Sequence, residues 1–94
     1  MTMFNPPHPG ELIAEMLEEL NVGIRELARA LGVAPSTVQR IVVGTAAISP
    51  EMAIKLAAVL GSSPKFWMNL QNNYSLWQAE LAVDTSHLHR LVAA

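Results

Sequence analysis

Cysteine is absent from this chain of 94 residues, which excludes a disulfide framework, a thiolate zinc site and a cysteine nucleophile, and fits a reducing cytoplasm. Charge is scarce as well. Asp, Glu, Lys and Arg make up 15% of the residues and the formal net charge is −2, so the chain has no overall basic balance to draw it to nucleic acid. Aromatic residues amount to only 5%. The longest unbroken apolar run, Leu56 to Leu60, is far below the roughly 18 residues that cross a bilayer. The opening MTMFNPPHPG has neither a basic head nor an apolar stretch, so no secretory signal is expected. Catalytic patterns are missing too: no glycine-rich phosphate loop, no nucleophile elbow and no HExxH. His87 and His89 sit at i, i+2, which points them apart on a helix, and no carboxylate pair completes a site. Neither an enzyme nor a metal or cofactor is expected.

What is abundant is apolar material, 51% of the residues, enough for one domain spanning 1–94 with some left over for self-association. Strand signals are nearly absent, and the punctuation suits short helices. Pro9 opens a helix to about Leu20 whose Leu12, Ile13, Met16, Leu17 and Leu20 form a buried face. His8, just before it, is expected to fix the turn through a hydrogen bond. Ile24, Leu27, Ala28 and Leu31 recur at i, i+3, i+4 and i+7, and Gly32 stops that second helix. A third runs from Pro35 to Val43, with Val38, Ile41 and Val42 on one side. Ser49-Pro50 opens a fourth, whose core candidates are Met52, Ala53, Leu56, Ala57 and Leu60, and Gly61 closes it. Ser63-Pro64 opens a long fifth, in which Trp67, Leu70, Tyr74, Trp77 and Leu81 recur at coiled-coil spacing. Beyond Val83, either Asp84 caps a further turn or two with Leu88, Leu91 and Val92 inward, or the tail is frayed.

The second and third helices, joined by a short turn containing glycine, have the layout of a helix-turn-helix. Ser36, Gln39 and Arg40 lie opposite the apolar stripe of the third helix, with Thr37 at its margin. These groups suit a duplex: hydroxyls reach a base or a phosphate, an amide pairs both edges of adenine, and a guanidinium forks onto guanine or holds a phosphate. A solvated face is the competing reading. Charge is unevenly spread, because residues 1–23 hold Glu11, Glu15, Glu18 and Glu19 against no Lys or Arg, while residues 24–46 hold Arg25, Arg29 and Arg40 against Glu26, a positive segment that is local and weak. Val43 also falls on the polar side, where it suits a thymine methyl or contact with neighbouring side chains. The acidic face of the first helix is either plainly solvated, a repulsive flank that steers DNA elsewhere, or a surface for a basic partner.

The run Glu26-Leu27-Ala28, Leu31-Gly32-Val33, Ser36-Thr37-Val38, Ile41 and Gly44 resembles the lambda-repressor-like, Xre-type helix-turn-helix. More specifically, His8-Pro9-Gly10-Glu11, Ile48-Ser49, Lys55-Leu56-Ala57 and the stretch from Gly61 to Gln71 are similar to HigA/VapI-type antitoxins. The resemblance covers about residues 7–78, leaving about 84–94 as a C-terminal tail. It implies an all-α, five-helix repressor that binds a palindromic operator in its own promoter, in the cytoplasm, and sequesters a HigB-type toxin, an mRNA endonuclease. It implies DNA contacts from Arg25, Arg29, Pro35, Ser36, Thr37, Gln39, Arg40 and Thr45. It also implies a homodimer through the fifth helix, with Trp67, Leu70, Tyr74, Trp77 and Leu81 at the interface. Ordinary core packing is the other reading of that stripe. Relatives commonly place Ser or Thr and then Gln where this chain has Gly23 and Ile24, a serine at Ala34, and a basic pair at Thr45-Ala46. Fewer phosphate contacts imply a modest salt dependence of binding. A stand-alone Xre-type regulator without a toxin, and a protein-interaction module with a degenerate reading helix, are the alternatives. The neighbouring gene separates the first from an antitoxin, and a promoter shift assay separates the second.

Overall fold

The structure, a computed structural model, describes residues 5–92. Five helices follow one another, with no strand among the described residues: α1 (Pro9–Leu20), α2 (Ile24–Leu31), α3 (Pro35–Val42), α4 (Pro50–Leu60) and α5 (Pro64–Ala82). The all-α class and every expected start agree with the punctuation read above, and Val43 is the C-cap of α3 rather than its last helical residue. Four of the helices open on proline, whose missing N–H costs nothing in a first turn. Three have side-chain caps. His8 Nδ1 accepts from the Gly10 N–H at 3.1 Å while the Glu11 carboxylate accepts from the His8 N–H at 3.2 Å. Ser49 and Ser63 hydroxyls accept from the N–H groups of Met52 and Phe66 at 3.1 and 3.0 Å. Such a cap contributes about 1 kcal/mol. Gly23 and Ala34 offer none, so α2 and α3 alone lack one.

The core collects Ile13 and Leu17 of α1, Leu27, Ala28 and Leu31 of α2, Val38 and Ile41 of α3, Ile48, the α4 residues Met52, Ala53 and Leu56, and Trp67 of α5. Trp67, expected in an interface between chains, is 0% exposed, and its Nε1 donates to the Gly61 carbonyl at 3.1 Å. Its ring fills the centre of this chain's own core, so no second chain can reach it. Leu20 departs in the other direction: placed on the buried face by its spacing, it is 58% exposed, because α1 ends there and α2 turns away after Asn21. The helix expected as one reading of the tail does not form among the described residues. Asp84 instead accepts from the Ser86 N–H at 2.9 Å, a backbone bond that holds its carboxyl below the usual value, and Leu88, Leu91 and Val92 are exposed.

One buried polar side chain locks α5 to the loop that follows α3. Gln71 Oε1 accepts from the Ile48 N–H at 2.8 Å, and its Nε2 donates to the Ser75 hydroxyl at 2.9 Å. Leucine at this position would leave a buried N–H without a partner, which costs about 1–3 kcal/mol. Gln71→Leu is therefore expected to lower the thermal midpoint by several degrees, read by circular dichroism; an unchanged midpoint would show that the loop re-satisfies itself. The sequence pattern shows no sign of this, since the apolar seam runs unbroken through Leu70 and Tyr74 and Gln71 stands beside it as one of several polar residues.

Candidate nucleic-acid interface

The second and third helices meet through Gly32, whose φ of 73° is cheap only without a Cβ. The Val33 N–H bonds back to the Ala28 carbonyl at 3.0 Å and closes α2. Val38 and Ile41 are buried beneath α3, and that anchorage turns Ser36, Gln39 and Arg40 outward; all three are exposed, with Thr37 half-buried at their edge. Val43 continues the row at i+7 from Ser36 and is 52% exposed. The far end of α3 is clamped. The Arg40 carbonyl accepts from the Thr45 N–H at 2.9 Å, the Ala46 N–H at 3.1 Å and the Thr45 hydroxyl at 3.3 Å. Thr45, expected at the duplex, is exposed, but its hydroxyl proton is given to this clamp, which leaves its oxygen as an acceptor only.

Arg25 and Arg29 stand exposed on α2 and, with Val33 and Pro35, line a cleft of about 220 Å³ beside the start of α3. Among the described residues Lys55 pairs with Glu51 and His8 Nε2 lies 3.9 Å from the Glu11 carboxylate, so Arg25, Arg29 and Arg40 have no carboxylate partner there. Three uncompensated guanidiniums on one helix pair, next to a row of hydroxyl and amide groups, form a surface that a phosphate backbone can neutralise and a major groove can fill. α3 begins without a side-chain cap; Pro35 has no N–H, and the Thr37 and Val38 N–H groups bond to the Ala34 carbonyl at 3.0 and 3.4 Å, so of its first turn the Ser36 N–H is left to meet an anion.

Residues 13–67 match the helix-turn-helix family model. The HTH-type transcriptional regulator YddM of Escherichia coli (strain K12), itself uncharacterized, is 59% identical over 92 residues, 98% of either chain. The chain belongs to the Xre-type helix-turn-helix family. Within that family it is similar to antitoxin HigA-1 of Vibrio cholerae, at 40% identity over 77 residues that span 81% of this chain and 72% of the antitoxin. The solved structure of the Pseudomonas aeruginosa antitoxin HigA with the higBA promoter matches with a TM-score of 0.84 and 40% identity, covering 94% of this chain and 99% of that one. This Xre-type chain thus has the lambda-repressor-like arrangement. Among the described residues no helix is long and apolar enough to cross a membrane.

Proposed function

We propose that this chain is a sequence-specific DNA-binding antitoxin of the cytoplasm that represses its own operon as a homodimer and neutralises a HigB-type mRNA endonuclease. The observation that carries the reading is the outward row Ser36, Gln39 and Arg40, braced by buried Val38 and Ile41 and flanked by Arg25 and Arg29, which have no carboxylate partner among the described residues. Support comes from the HigA relative solved with its promoter. Arg40 forks onto guanine or a phosphate, Gln39 reads adenine, and Ser36 and Thr37 meet the backbone or a base edge. Pro35 packs the start of α3 close to the duplex, and Thr45 accepts at its far end. Two copies related by a two-fold axis present two reading helices to half-sites about 34–36 Å apart, or a multiple of that.

For the pairing surface, α5 is the natural candidate. Its 19 residues span about 28 Å, and its buried residues, Trp67 and Gln71, both lie in its first half. Past them Leu76 and Leu81 stand exposed, the latter at 73%, beside the half-buried Trp77. Leu70 is half-buried against the core and Tyr74 packs edge-on to His8 at 5.5 Å, so within one protomer both are already partly engaged.

Arg40→Ala is expected to lose about 1–3 kcal/mol of affinity for the promoter palindrome in a shift assay while its circular dichroism stays that of wild type. Equal binding by the two proteins would remove α3 from readout. A second reading, a stand-alone regulator, is favoured by the 59% identical relative named as a transcriptional regulator. An adjacent gene for a small basic protein that the chain neutralises decides for the antitoxin.

A further inference from the structure

Two clefts lie on opposite flanks of α2. The first, lined by Arg25 and Arg29, borders the reading helix. The second is a groove of about 190 Å³ walled by Leu17 and Leu20 of α1, Glu26 and Ala30 of α2, and Val59 and Leu60 of α4, and no residue of α3 lines it. Its lip is apolar and in water: Leu20 stands largely free, and Val59 is 38% exposed. The single charge in its lining is Glu26; outside the lining, the other faces of α1 carry the exposed Glu15, Glu18 and Glu19, with no Lys or Arg on that helix, and act on the groove only through their long-range field. None of these four carboxylates is ion-paired among the described residues.

We infer that this groove docks an apolar helix face of a basic protein partner, on the flank of α2 away from DNA. The inference rests on the antitoxin reading and names the surface that the reading leaves open. Aliphatic side chains exposed in a concavity gain by burial under another apolar surface, and a helix laid in a groove is a common way to supply it. The carboxylates select the sign of that partner: they favour encounter with a cationic protein and oppose the approach of phosphate. A second copy of this chain fits poorly, because its basic residues on α2 and α3 are those that face DNA. The consequence is that α2 separates two ligands of opposite charge, nucleic acid beside Arg25 and Arg29 and a basic protein beside Glu26, so both can be held at once.

The probe is the product of the gene adjacent to this one, co-expressed and purified with the full chain; a neighbour that encodes no basic protein overturns the inference and the antitoxin reading together. Leu20→Arg removes the apolar lip and sets a cation against a cationic partner. Calorimetry should show its affinity for the neighbour-encoded protein falling about tenfold or more, with operator binding and circular dichroism unchanged. A milder Glu26→Ala should weaken the same complex and lessen its salt dependence. If Leu20→Arg binds the partner as wild type does, the groove is not the docking site and the antitoxin reading stands. If wild type itself fails to bind that protein, both fall and the stand-alone regulator remains. Loss of the dimer by free Leu20→Arg in sedimentation would make the groove a contact between copies and overturn the partner assigned to it.

Discussion

Alanine at Gly10 is expected to destabilise the protein by about 3 kcal/mol or more, a large share of the roughly 5–14 kcal/mol that holds a domain of this length together. A Cβ there would run into the backbone carbonyls of Ile41 and Val42 at the end of α3 and lie 2.8 Å from the His8 ring. Neither carbonyl can rotate aside as a side chain would, so α1 and α3 must separate. Separation unseats α3, the proposed reading helix. Operator affinity should therefore drop together with the denaturation midpoint, although residue 10 is on a helix that carries no Lys or Arg. Gly23→Ala is the matched control: nothing lies within 4 Å of the added methyl, and the φ of −92° suits any residue. Its stability should stay within about 1 kcal/mol of wild type. A Gly10→Ala protein that unfolds at the wild-type denaturant concentration would show that the two helices slide past each other without cost.

That contact marks the boundary between what was legible in the sequence and what was not. Helix starts were legible because proline, serine and histidine act locally: Pro9, Pro35, Pro50 and Pro64 each stand at a first turn, and three of the caps sit just before them. The outward row of α3 was legible for the same reason, since a period of 3.6 residues fixes which side chains oppose Val38 and Ile41. Positions decided by how helices pack were not. Periodicity gives Leu20 the same direction as Leu17, yet Leu17 is covered and Leu20 is left at the lip of a groove. Trp67 and Trp77 share one stripe, and only the packing of α5 in the fold, which buries Trp67 and Gln71 in its first half, tells core from free surface. Gly10 reads as a helix-opening residue, and its closeness to α3 requires the third dimension. The clamp on the Arg40 carbonyl is similar: three donors from the loop converge on it, and the sequence there shows only threonine and alanine.

Trp77→Arg is expected to yield monomers in a sedimentation run and to weaken operator binding by about 10²- to 10⁴-fold, because one reading head must then bind without a tethered second. The size of the effect follows from bivalency rather than from any contact of Trp77 with DNA. Its ring stacks at a tilt on Tyr74, with centroids 6.0 Å apart, beyond the stretch of α5 that is anchored through Trp67 and Gln71. An arginine can therefore project into water there without unpacking the core, and the melting of α1 to α4 should be little changed. Buried in a dimer, the same arginine would face its symmetry mate as an unpaired charge in an apolar seam, at a cost of several kcal/mol. Half-site DNA provides the internal comparison: Trp77→Arg and wild type should bind a single half-site alike, and differ only on the full palindrome. A dimer that survives the substitution with full affinity would move the pairing surface off α5, and the exposed Leu76, Leu81 and Val83 would then need another cover.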